Sequence, residues 1–112
     1  PPSPPGTFTS KASLKAAVLA FTENVDAAIA TYGPVADWDV SGVSDMSFLF
    51  YNLQNFNADI SSWNTSSVTR MDSMFEDAEA FNQPLSFDTS SVKDMDGMFG
   101  REGVQPAAEL RH

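Results

Sequence analysis

The chain has 112 residues, with 15 acidic side chains against 6 basic ones, a formal charge of −9, and no cysteine. That length makes one domain; the negative surface would be repelled by nucleic acid and by anionic lipid, and the missing thiols exclude a disulfide framework, a zinc–thiolate site and a thiol nucleophile. The 42% apolar and 12% aromatic content is that of a folded protein, and no apolar run reaches the length that spans a bilayer, so no membrane insertion is expected.

Residues 1–7 open with Pro1-Pro2-Ser3-Pro4-Pro5-Gly6. Each proline ring fixes φ and removes a donor, so this stretch reads as an extended, solvated linker ended by glycine. The sharper reading is a matrix-type spacer, with Pro1, Pro2, Ser3, Pro4 and Pro5 as sites of hydroxyproline formation and O-glycosylation. A proline-rich ligand for SH3-type grooves would want a flanking arginine, which is absent.

Residues 8–34 read as an N-terminal helical cap, with helix from Thr7 to Tyr32. Leu14, Ala17, Val18, Phe21, Val25, Ala28, Ile29 and Tyr32 recur at steps of three and four and make one apolar stripe. Thr9 or Ser10 is the expected N-cap. Thr22, Glu23, Asn24 and Asp26 are poorer helix formers and allow a break into two helices. Gly33-Pro34 is a strong stop. Membrane-surface binding by this stripe would need more basic residues than it has.

Residues 35–100 repeat. Trp38 to Phe50 superposes on Trp63 to Phe75 at an offset of 25 with no gap, and Phe87 to Phe99 follows at 24. The expected core ladder is Val43, Met46, Phe50, Trp63, Val68, Met71, Phe75, Phe87, Val92, Met95 and Phe99. A fixed period of this length predicts an α/β solenoid, here a short right-handed stack of about two and a half repeats. The Met-x-x-Met-Phe and Met-x-x-Leu-Phe steps suit a short helical turn in each repeat. Ile60-Ser61-Ser62-Trp63 and Leu85-Ser86-Phe87-Asp88 suit a short strand beside it. Asn, Asp, Ser and Thr between them close the corners. Unbranched methionines fill the gaps between aromatic rings. The pattern stops after Gly100, and residues 101–112 form a tail that would shield the last repeat, unless a neighbouring copy does.

The segments from Asp37-Trp38-Asp39-Val40-Ser41-Gly42-Val43-Ser44-Asp45-Met46 to Phe50, and Phe56-Asn57-Ala58-Asp59-Ile60-Ser61-Ser62-Trp63, resemble the BspA-like surface-protein repeat. This family was first catalogued as a domain of unknown function in mycoplasma lipoproteins and is common in algae. The resemblance covers roughly Phe8 to Phe99. It implies a leucine-rich-repeat-like solenoid, a cell-surface or secreted location, and a part in adhesion and protein contacts. It carries over no active site.

No catalytic, cofactor or metal site is expected. Asp94-Met95-Asp96-Gly97 has part of a calcium loop without its remaining ligands. His112 is the single histidine and is terminal, so a histidine triad is unavailable. Asp37, Asp39, Asp59 and Asp88 read as a solvated acidic face, with nothing to mark a glycosidase pair among them. Asn64-Thr65-Ser66 is an N-glycosylation sequon in a polar corner. Phe48 and Tyr51, with Asn52, Gln54 and Asn55, sit outside the repeated ladder, either as a contact patch or as local packing against the N-terminal helix. Together these features suggest a non-enzymatic extracellular or cell-surface module that contacts proteins, above all other copies of itself, and assembles into a fibril or matrix. The alternatives are a monomeric adhesin-like or receptor-like module for a protein or glycan, and an accessory subunit docked through its acidic surface.

Overall fold

Ser10 sets the start of the first helix. Its backbone is extended (φ −142°, ψ 155°), and its side-chain oxygen accepts from the Ser13 N–H at 3.2 Å, a donor that a helix start leaves without a partner. In the computed structural model, which describes residues 6–82 and 87–98 and the backbone of 110–111, α1 runs Lys11–Glu23 and α2 runs Val25–Tyr32. Asn24 both ends the first and begins the second. Its N–H donates to Ala20 O at 3.0 Å, while its Oδ1 accepts from Ala27 N–H at 3.1 Å. Gly33 stops α2 at φ 83°, a left-handed value that costs glycine nothing, and its N–H donates to Ile29 O at 2.8 Å. A 3-10 turn, Val35–Asp37, leads into Trp38.

The start of the expected helix is extended instead. Phe8 N–H donates to Asp39 O at 2.9 Å and Asp39 N–H to Gly6 O at 2.8 Å, which joins Thr7 and Asp39 in a parallel bridge. Gly6 lies close against the end of α2: a Cβ there would come within 2.6 Å of the Tyr32 carbonyl oxygen, so a larger residue would force the backbones apart.

The α/β solenoid expectation is overturned. Among the described residues, regular structure consists of α1, α2, the 3-10 turn and two two-residue strands, β1 (Phe87–Asp88) and β2 (Leu110–Arg111), paired in parallel. Among the described residues no repeat contains a helix beside a strand. Residues 46–55 and 71–78 are successive turns, residues 60–63 are a turn, and Leu85 and Ser86 lie outside the described residues. The cause is backbone sign. Phe48 (φ 60°), Ser73 (φ 55°) and Gly97 (φ 63°) are left-handed, and so are Asn52 and Asp77 (φ 60° each). A left-handed residue can continue neither a right-handed helix nor a strand. Each Met-x-x step therefore closes as a turn, with Leu49 N–H to Met46 O at 3.2 Å, Met74 N–H to Met71 O at 3.2 Å and Met98 N–H to Met95 O at 3.1 Å.

These turns are joined side by side through backbone hydrogen bonds. Met46, Phe48, Phe50 and Asn52 donate to Arg70, Asp72, Met74 and Glu76, and Met71, Ser73 and Phe75 donate to Asp94, Asp96 and Met98. Isolated parallel bridges mark Asp45↔Arg70 and Arg70↔Asp94. Residues 25 apart thereby come into ring contact: Trp38 on Trp63 at 6.2 Å, Phe50 on Phe75 at 5.1 Å, Phe56 on Phe81 at 6.1 Å, each pair stacked. One core cluster runs from Phe8 through Leu14, Ala17 and Val18 of α1 to Met98. Phe21 of α1 sets its ring edge against both Trp38 and Phe56.

Candidate functional site

The surface that stands out lies on residues 48–55, and its backbone is gripped from two sides. On one side, Phe48, Phe50 and Asn52 N–H groups donate to Asp72, Met74 and Glu76 carbonyls at 3.1, 2.9 and 2.8 Å. On the other, Lys15 of α1 donates through Nζ to the Phe48 and Leu49 carbonyls at 3.0 and 2.8 Å. Burial, and then the nearby Lys11 charge, hold the Lys15 ammonium below its ordinary pKa. Lys11 adds a bond to Ser47 Oγ at 3.1 Å and an ion pair with Asp45 at 3.6 Å.

Leu49 and Phe50 of this stretch point into the core, while Phe48, Tyr51, Asn52, Gln54 and Asn55 are exposed. Phe48 is 46% exposed and Tyr51 41%, with ring centroids 5.6 Å apart at 72°. Phe48 holds this exposed position in a left-handed conformation that costs a non-glycine residue about 1–2 kcal/mol. The sequence left two readings open here, contact patch or packing on the helix; the backbone is tied to α1 through Lys15, and each ring is partly covered and partly exposed. Residues that follow in the chain line, with Thr22 of α1, a shallow cavity of about 340 Å³: Asn52, Leu53, Gln54 and Asn55. None of its lining side chains ionises. Gln54 Nε2 lies 3.4 Å from Asn52 Oδ1, too long for a strong bond, so both amides keep hydrogen-bonding capacity for another molecule.

The equivalent residues 25 positions later show how specific this set is. Phe48, Tyr51, Asn52 and Gln54 align with Ser73, Glu76, Asp77 and Glu79. Three carboxylates are replaced by one phenol and two amides on the same backbone path. This alignment is the sequence signal that marks the site; reading the apolar ladder alone passes over it.

The other expected residues are distributed as follows. Val43, Met46, Phe50, Trp63, Val68, Met71, Phe75 and Phe87 are buried, Val92 and Met95 are partly buried, and Phe99 lies outside the described residues. Pro1, Pro2, Ser3, Pro4 and Pro5 also lie outside them, as does His112. Asn64 is exposed, and its Oδ1 accepts from Ser66 N–H at 3.1 Å and Ser66 Oγ at 2.7 Å. Asp39, Asp59 and Asp88 make the same turn with Ser41, Ser61 and Ser90, whose hydroxyl and N–H donors hold these carboxyls below the usual range. Asp94 spends one carboxylate oxygen on the Asp96 N–H at 3.0 Å, and among the described residues no cluster of three acidic or histidine side chains is placed to hold a metal. Among the described residues no helix is long and apolar enough to cross a membrane.

No curated protein and no solved structure matches the chain. The described turns between residues 38 and 98 and the helices packed on them lie almost wholly within residues 17–104, which match the family described as "Mycoplasma protein of unknown function, DUF285", and the chain belongs to that family.

Proposed function

We propose that this chain is a non-enzymatic contact module of an extracellular or cell-surface protein, and that it engages its partner through Phe48, Tyr51, Asn52, Gln54 and Asn55. The observation that carries this reading is the uncharged aromatic-and-amide set on a backbone that holds carboxylates one repeat later. Folding does not need those side chains, since Ser73, Glu76 and Asp77 occupy the equivalent path. Exposed aromatic rings gain contact area at small entropic cost and are the common anchors of recognition surfaces. Surface placement rests on the proline-rich start, the Asn64 sequon and the repeat resemblance.

Contact between copies is a second reading. Val25 and Ile29, one turn apart on α2, are left 45% and 39% exposed.

The test uses beads coated with the chain, offered to immobilised extracellular-matrix proteins, to neutral polysaccharides and to beads bearing the same chain. The variant Tyr51→Glu/Asn52→Asp/Gln54→Glu installs the side chains of the second repeat. Native beads are retained by at least one surface and the variant loses about ten-fold or more of that retention, equivalent to about 1.4 kcal/mol. Equal retention of the variant, or none of the native chain, overturns the proposal. Sedimentation across concentration reads self-association on the same sample.

A further inference from the structure

We infer that the cavity between Thr22 and residues 52–55 is a subsite for a neutral carbohydrate, a pyranoside ring of a surface glycan or polysaccharide. The inference rests on the contact reading above and names the ligand class of that face.

The first argument is charge. The chain carries −9 overall, yet no ionisable side chain lines the cavity, and the nearest structural counterpart of its rim is acidic. A cationic ligand would be served better by Glu76, Asp77 and Glu79 than by Tyr51, Asn52 and Gln54. An anionic one would find no lysine or arginine lining the cavity. Both charged classes are thus disfavoured, and an uncharged ligand remains.

The second argument is hydrogen-bonding type. Asn52, Gln54 and Asn55 each present one acceptor oxygen and a two-donor nitrogen within a short span of chain. The single contact among them is the long one of 3.4 Å. Adjacent hydroxyls of a sugar ring each donate and accept, so they match side-chain amides without leaving either partner unsatisfied. An apolar ligand would strand these amides, at a cost that grows with burial.

The third argument is the aromatic pair. Phe48 and Tyr51 lie just ahead of the cavity residues in sequence, their rings exposed and set edge-on at 72° with centroids 5.6 Å apart. Neither ring lines the cavity; a pyranose has one face of aliphatic C–H groups that packs on an aromatic ring, so the pair offers a longer glycan a second, apolar contact. The volume of about 340 Å³ sits at the lower end of the 300–1,000 Å³ common for ligand sites, room for one or two sugar rings. Its shallowness keeps affinity weak, on the order of 1 mM for a single ring, with tighter attachment coming from many copies on one surface.

The experiment is NMR on the ¹⁵N-labelled native chain, titrated with methyl glucoside, methyl galactoside, methyl mannoside and cellobiose. Glucuronate and glucosamine serve as charged comparators. At least one neutral sugar shifts the side-chain amide signals of Asn52, Gln54 and Asn55, with millimolar Kd, and the charged comparators do not. In the Asn52→Asp/Gln54→Glu variant the Asn55 response weakens about ten-fold, while its remaining amide spectrum shows the fold intact. Tyr51→Ala, at an exposed position, weakens the response several-fold. The inference is overturned if no neutral sugar moves these amides above millimolar concentration, or if charged sugars move them equally. Patch-dependent bead retention on a protein surface, without sugar response, overturns this inference and leaves the contact reading standing. Loss of patch-dependent retention on every surface overturns the contact reading itself.

Discussion

Residues 46–55 and 71–80 follow the same path with different surfaces. Both place a left-handed residue at the third and seventh positions, Phe48 and Asn52 in one, Ser73 and Asp77 in the other. Both bury a methionine and a phenylalanine, Met46 with Phe50 and Met71 with Phe75. Inside they differ modestly, Leu49 against Met74 and Ser47 against Asp72, all buried; at the solvent face the first carries aromatic rings and amides, the second serine and carboxylates. A backbone that accepts either set is not what selects between them. The second set does what an acidic surface ordinarily does, keeping charge in water. The first leaves rings in water at a cost in free energy, and this, not the left-handed backbone that both share, is what the proposed contact role explains.

The shared part of the comparison breaks most forcefully in the core. Phe50→Ala and Phe75→Ala each destabilise by about 3–5 kcal/mol in urea denaturation, because each deletes a fully enclosed ring from the same stack. Near-equal losses support a common packing role. A loss below about 1 kcal/mol at either position would contradict the burial described.

A smaller effect sharpens the difference. Phe48→Gly and Ser73→Gly both relieve a left-handed residue and raise stability by about 0.5–1 kcal/mol, read as a higher Tm. Only Phe48→Gly lowers bead retention. A variant that is more stable yet binds less separates recognition from folding; a fall in Tm for both would show that the left-handed turns carry little strain.

The smallest effect is set by pH. Asp39, Asp59 and Asp88 have folded pKa values below their ordinary value, chiefly through the serine hydroxyls that bond them. Their contribution is full above the unfolded carboxylate value and is lost as pH falls through the lower folded one, so Tm drops on acidification below about pH 4. Asp39→Asn keeps the turn, as Asn64 does with the same donors, and flattens part of that slope. An unchanged slope would remove the serine bonds as its cause.

Much of this was readable in advance, and the residues say why. The helix ends are local chemistry: Ser10 bonds three residues on, Asn24 bonds both ways within four, and Gly33 needs no partner to turn left-handed. The offset of 25 placed Trp38 beside Trp63 and Phe50 beside Phe75, since equal apolar patterns bury best against each other. The solenoid of strands and helical turns failed for a reason equally specific. Phenylalanine at position 48 carries no signal for a left-handed backbone, although Gly97 and the Asn52–Asp77 pair at corresponding positions do. Phe48 and Tyr51 read from the sequence either as a contact patch or as local packing, and the neutral character of the residues around them emerges only when each is set against its counterpart in the next repeat.

Legible in the sequence were the stop at Gly33, the break near Asn24, the apolar stripe of α1 and the partners across the repeat, because each rests on side-chain identity at short range or on a pattern that recurs; the N-cap stayed open between Thr9 and Ser10. Tertiary structure alone decided that Phe48 turns left-handed with its ring in solvent. That conformation is held by Lys15, 33 residues earlier in the chain, and by the Asp72 carbonyl of the next turn. Contacts so distant along the chain select a backbone state that no local preference of phenylalanine would reach.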